Sequence, residues 1–361
     1  VKRILLPVGV AGLVAASLAV PAHAGPKVGT SAKLSTPAAA ADTLAFWTED
    51  GGKNLKAAAP YGLEHARVPK HVSTGGPAAD GKPGLVPAIG DEAKPTTTTK
   101  NVNLPKSTGR VFFVLGDGLY SCSASSIQSA YKNLVATAGH CAYDIESNAS
   151  VVGKWVFIPG YYQGKAPWGI YVGKTAYTHY DFSVYEDVDR DYAFVTVYNG
   201  ITPADGKWKD VGRLGDNVGG QGFAYNQKVG APTFVFGYPT AAHGDGDYAY
   251  TGGTLKWCYG KPVYPVVEKT VKAEEHMALK CSMTGGASGG PWIVKYSSNA
   301  RKGYINGVTS LGGDTDGNHR SDLITSPYFD GETYSVYKAA APLWSGSIVK
   351  KDGTLGISEV K

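Results

Sequence analysis

From Val111 onward the chain breaks into short apolar runs. Val111-Phe112-Phe113-Val114-Leu115 opens the series, followed by Leu134 to Thr137, Val151 to Ile158 and Ala193 to Val197. Thr233 to Phe236, Trp292 to Val294 and Tyr304 to Val308 continue it. Each run has strand length, and clusters of Gly, Pro, Asn or Asp separate them, which is the chemistry of turns. Only Thr333 to Leu343 reads as a helix, with Ala339, Ala340 and Ala341 as strong formers. Many punctuated strands with almost no helix predict an all-β barrel or sandwich. No internal repeat is visible.

Upstream of these runs the pattern differs. Lys2 and Arg3 precede an apolar stretch from Ile4 to Val20, then Ala22-His23-Ala24, a small-x-small cleavage site. The stretch is broken by Pro7 and is short for a membrane span of about 20 residues. It predicts a signal peptide over residues 1–24, a secreted, extracellular protein and no stable membrane association. Residues 25–106 are rich in Ala, Pro, Gly, Thr and Lys, with one apolar patch at Leu44-Ala45-Phe46-Trp47. Such composition buries little surface against its ordering entropy, so the stretch is expected to be a pro-segment or flexible linker.

Composition supports this picture. The chain has 361 residues, with 48 Gly, 23 Tyr and 18% charged residues, a profile of turns and strands that excludes a coiled coil or a charge-dense disordered protein. Net charge is +5, but residues 1–106 carry 12 basic and 7 acidic groups while residues 107–361 balance 23 against 23. A folded part without net positive charge or basic runs argues against a nucleic-acid partner. The four Cys have 18, 116 and 22 residues between them and no Cys-x-x-Cys pair, which disfavours zinc. In an exported protein they form two disulfides, with three connectivities open.

Three short segments carry the chemistry: Thr137-Ala138-Gly139-His140-Cys141, Asp191-Tyr192-Ala193-Phe194-Val195 and Gly285-Gly286-Ala287-Ser288-Gly289-Gly290-Pro291. A serine hydroxyl needs an adjacent base to act as a nucleophile. A histidine supplies that base, and a buried carboxylate fixes its tautomer and offsets its positive charge. Glycines around Ser288 let the backbone turn so that the N–H groups of Gly286 and Ser288 face a developing oxyanion. Asp181, Asp187 and Asp189 compete with Asp191, which alone leads directly into an apolar strand.

In the order His, Asp, Ser, and 51 and 97 residues apart, these motifs resemble the trypsin/chymotrypsin-like serine proteases over about Val111 to Trp344. Gly109-Arg110-Val111-Phe112-Phe113 and Gly237-Tyr238-Pro239 look most like the bacterial secreted branch that includes glutamyl endopeptidases. The resemblance implies two six-stranded antiparallel β-barrels with a short C-terminal helix, over a protease domain at 107–345 followed by a tail at 346–361. It implies a monomeric endopeptidase acting on protein or peptide substrates, with neither metal nor organic cofactor. His140, Asp191 and Ser288 would be catalytic, and Cys122–Cys141 and Cys258–Cys281 the disulfides. Ser282, Met283, Thr309 and Gly312 would line the specificity pocket. Ser282 has no charge, against a preference for Lys or Arg, and Thr309 stands where the glutamyl-specific branch has His. Ala287 offers no carboxylate to a freed amino terminus.

Two other readings compete. Gly286-Ala287-Ser288-Gly289-Gly290 also fits the G-x-S-x-G elbow of esterases and lipases, with Asp314, Asp316 and His319 downstream. That elbow launches a helix, whereas Pro291-Trp292-Ile293-Val294 reads as a strand. A non-catalytic binding module on a protease fold is the third reading, and it is weakened because no triad member is missing.

Overall fold

The computed structural model describes residues 28–62, 81–90, 101–144, 150–268 and 271–356. The expected export signal lies outside them. The first lobe is built from β1 (Thr108–Leu115), β2 (Gly118–Ile127), β3 (Leu134–Thr137), β4 (Gly153–Pro159), β5 (Tyr171–His179) and β6 (Ala193–Val197). They pair antiparallel in the order β1-β2-β3-β6-β5-β4, and β4 returns to β1, so the ring closes. Closure removes the exposed edges that an open sheet leaves.

Side-chain alternation explains why these strands are apolar without interruption. Val111, Phe113, Trp155, Phe157 and Tyr171 point into the barrel. Their neighbours Phe112, Val156, Ile158 and Val172 point outward into a second buried cluster with Ala40, Leu44 and Trp47. The outer cover is the helix Pro37–Ala57, capped by Thr36 and interrupted at Glu49–Gly52. Leu44 and Trp47 are wholly buried there, each such side chain contributing roughly 2 kcal/mol of transfer free energy. The strand Gly29–Lys33 adds antiparallel to β5, with Gly29 opposite His179 and Lys33 opposite Thr175. Of residues 25–106, expected to be a pro-segment or flexible linker, this helix and this strand pack against the first lobe. The apolar outer face of the barrel requires that cover.

The second lobe uses β7 (Gly222–Tyr225), β8 (Thr233–Gly237), β9 (Lys256–Gly260), β10 (Val263–Glu268), β11 (Ala273–Lys280), β12 (Pro291–Ser297), β13 (Lys302–Val308) and β14 (Leu323–Pro327). One sheet runs β9-β8-β12-β13-β7 and gains Gly84–Val86 at its edge; the other runs β10-β11-β14. The β7–β13 pair is parallel. Where the sequence suggests a second closed antiparallel barrel, the ladders among the described residues form two sheets. A side chain interrupts the seam: the Val308 N–H donates to the Ser326 hydroxyl at 2.9 Å. Beyond it, Ser310 N–H to Thr325 O (2.8 Å) and Thr325 N–H to Leu311 O (2.9 Å) are the joining bonds.

The predicted C-terminal helix spans Gly331–Ala340 and opens with a capping box between Asp330 and Thr333. The tail after 345 is also packed, with Ile348 fully buried beside Tyr198.

Candidate active site

His140 sits in a single tight turn, Gly139–Cys141, immediately after β3, and Asp191 closes a similar turn, Val188–Arg190, immediately before β6. Because β3 and β6 are hydrogen-bonded neighbours, the two turns meet at one end of the barrel. Both residues are wholly buried. Asp191 Oδ2 lies 2.8 Å from His140 Nδ1, and Asp191 Oδ1 accepts the His140 backbone N–H at 2.9 Å. The Ser310 hydroxyl donates to Asp191 Oδ2 at 2.5 Å. Burial pushes the Asp191 carboxyl up, but the charge and hydrogen bonds of His140, together with Ser310, outweigh it and hold the group below its ordinary value.

The competing acids have other tasks. Asp189 accepts the backbone N–H groups of Glu274 and Glu275, each at 2.8 Å. Asp187 caps its own turn at the Asp189 N–H and pairs with Lys272 at 3.4 Å. Asp181 lies in the short helix Tyr180–Tyr185.

The Ser288 loop is held against the first lobe by backbone contact. Ser123 of β2 donates its N–H to the Ser288 carbonyl at 2.7 Å and its hydroxyl to the Gly286 carbonyl at 2.9 Å. Gly289 has φ +79°, and a Cβ there would lie 2.2 Å from Thr137 Oγ1 and 2.3 Å from the Ser123 carbonyl, so only glycine lets the loop settle beside the His140 turn. Gly286, at φ +93°, turns the backbone before Ser288 and aims its N–H at the carbonyl of Tyr61, 3.3 Å away. After Ser288 the chain enters strand β12, which is not how a G-x-S-x-G elbow continues. The disulfides Cys122–Cys141 and Cys258–Cys281 are both present, the first joining β2 to the His140 turn.

No family model matches the sequence, and no curated protein matches it. Solved structures do. Protease Anisep from Arthrobacter nicotinovorans is 31% identical, with 67% of this chain and 97% of that one covered at a TM-score of 0.54. This chain belongs to the chymotrypsin-like serine proteases. The thermostable serine protease AL20 from an extremophilic microorganism is 27% identical, with 65% and 97% covered and a TM-score of 0.54. A Glu endopeptidase is 18% identical, with a TM-score of 0.47 and 68% and 95% covered.

The protease has a cavity of about 390 Å³ beside Ser288, lined in part by Met283, Thr309 and Gly312. Ser282 is not part of its wall. It is exposed, 2.8 Å from the Tyr250 hydroxyl, in the irregular segment after β11 where Met283 is buried. Thr309 is already engaged, accepting from Trp292 Nε1 at 3.1 Å. His319 and Asp314 stand on the cavity wall, with the His319 N–H donating to Asp314 at 2.7 Å. Sequence reasoning also missed Ser310, whose hydroxyl completes the Asp191 shell, and Ser123. Ser123 is one of four serines between 121 and 126 and Ser310 lies in the loop after β13, and nothing in their neighbours distinguishes them.

Proposed function

We propose that the protein is a secreted serine endopeptidase. His140 takes the Ser288 hydroxyl proton as the oxygen attacks a peptide carbonyl, and Asp191 steadies the resulting imidazolium. The negative oxygen of the tetrahedral intermediate faces the Gly286 and Ser288 N–H groups. His140 then protonates the leaving amine, and water releases the acid product from the acyl-enzyme by the same route. The observation that carries this reading is the wholly buried His140–Asp191 pair at 2.8 Å beside a serine loop whose Gly286 N–H meets a carbonyl oxygen. Export is supported by the apolar leader and by two disulfides.

Among the described residues no hydrogen-bond partner reaches His140 Nε2, the nitrogen that would take the proton. Catalytic hydrogen bonds often tighten only when substrate arrives. The decisive experiment is Ser288→Ala. Peptidase turnover should fall on the order of a millionfold, as in other serine triads. Near-normal turnover in the folded variant excludes Ser288 as nucleophile.

A further inference from the structure

Residues 59–62 lie in the cleft that the proposed chemistry needs open. Ala59 and Pro60 pair in parallel with Tyr120 and Ser121 of β2, and the Tyr61 N–H donates to the Ser121 carbonyl at 2.9 Å. The Tyr61 carbonyl accepts the Gly286 N–H at 3.3 Å, the position an oxyanion would take. The Tyr61 ring packs 5.7 Å from His140, centroid to centroid, and 5.3 and 5.1 Å from Phe113 and Tyr120. His140 is left without solvent exposure. Gly62 forms part of the wall of the cavity beside Ser288.

The direction of this segment is informative. In a productive complex, the residue whose carbonyl meets the oxyanion donors puts its own side chain into the adjoining pocket. The next residue supplies the leaving amine, which must lie by His140 to receive its proton. Here Tyr61 presents the carbonyl, yet its ring lies against His140, and the next residue, Gly62, lies at the pocket. The leaving amine would be on the wrong side of the imidazole.

We propose that Ala59–Gly62 is a tethered inhibitor of this active site, bound with its chain direction reversed so that it is held but not cut. The proposal rests on Ser288 being the nucleophile. The tether is anchored at both ends. Upstream, Trp47 and Leu44 are buried on the barrel; downstream, Gly84–Val86 pairs with β7 of the second lobe. A bound group supplied from the same chain competes at high effective concentration, so weak contacts suffice to block the site.

The test is the rate at which diisopropyl fluorophosphate labels Ser288 in full-length chains that intact mass shows still to carry residues 59–62. Tyr61→Ala removes the ring over His140 and should be labelled about tenfold faster than wild type. Tyr61→Phe keeps the ring and should stay near the wild-type rate. Tyr61→Pro, which also removes the N–H given to Ser121, is the second displacing variant and should match or exceed Tyr61→Ala. Thermal melts confirm that each variant is folded. Equal labelling of wild type and both displacing variants overturns the inhibitor. A new amino terminus at Gly62 that disappears in Ser288→Ala also overturns it, by making the segment an ordinary substrate. No labelling of any folded chain, displaced or not, removes Ser288 as nucleophile, and the inhibitor falls with it.

Discussion

Among the described residues the first lobe closes its hydrogen-bonded ring while the ladders of the second form two sheets, and the groups proposed for catalysis divide along that line. His140 and Asp191 stand at the end of the closed barrel and are wholly buried. Ser288, Met283, Thr309 and Gly312 belong to the second lobe, where glycines, bulges and a side-chain-mediated seam shape the backbone. The two tasks differ in what they require. Orienting an imidazole needs a fixed, dry carboxylate, and closure on all sides supplies it. Presenting a hydroxyl, two N–H groups and a pocket to substrate needs exposed backbone, which a closed ladder would consume. Arg190 clamps the halves together, pairing with Glu275 of β11 at 3.0 Å and with Glu332 of the C-terminal helix at 2.9 Å.

The largest effect that would break this division lies at the carboxylate. Asp191→Asn should lower turnover about ten-thousandfold, because the amide favours the wrong histidine tautomer. Asp187→Asn and Asp189→Asn should change turnover far less, since those side chains serve backbone N–H groups and Lys272. Steady-state kinetics on the three folded variants decide it. A ten-thousandfold loss from Asp189→Asn alone would mean that the orienting acid is the wrong residue of this turn.

A moderate effect separates the lobes by access. Cys122 and Cys141 have no exposed surface, whereas Cys258, on the edge strand β9, is partly exposed. Thiol exchange needs an approaching thiolate to reach a sulfur. Under native conditions dithiothreitol should reduce Cys258–Cys281 first, at a cost of about 3 kcal/mol in stability by chain entropy. Cys122–Cys141 should yield only when the barrel opens. Timed alkylation and peptide mapping give the order; simultaneous loss of both would contradict the contrast.

Much of the first lobe was legible because its strands are unbroken apolar runs and its chemistry sits in short motifs at strand ends. Those same runs held a signal that went unread. Val111 to Leu115 is apolar at every position, so both faces must be buried. The cover was also present in sequence, since Ala40, Thr43, Leu44 and Trp47 recur at helical spacing after Thr36-Pro37. The high share of Ala, Pro and Gly around them hid it. In the second lobe legibility was lower because the pocket there is shaped by loops: of the residues expected to line it, Met283, Thr309 and Gly312 reach the cavity while Ser282 turns outward. Tyr61 could not be found at all, because its role comes from lying across another lobe's cleft.

The smallest effect concerns a titrating group in the barrel wall. His179 ends β5, is buried, and accepts the Asp181 N–H through Nδ1 at 3.0 Å. Burial, helped by the charge of Arg190, holds its pKa down to about 3, and Glu332 at 3.6 Å does not reverse this. Unfolded histidine titrates near 6.5, so between about pH 3 and 6.5 the unfolded chain binds the extra proton. Stability from this site is therefore complete above about pH 6.5 and is lost as pH falls toward 3. Asp187 acts in the opposite sense: burial raises it to about 6, so its contribution declines as pH rises from about 4 to 6. His179→Asn keeps an acceptor for the Asp181 N–H and removes the titration. Across urea unfolding at intervals from pH 4.5 to 7, the stability difference between wild type and variant should shift with rising pH in favour of wild type, by at most about 1.4 kcal/mol per unit from this one proton. Identical slopes in the two proteins would mean that His179 takes its proton in the folded barrel as readily as in the unfolded chain.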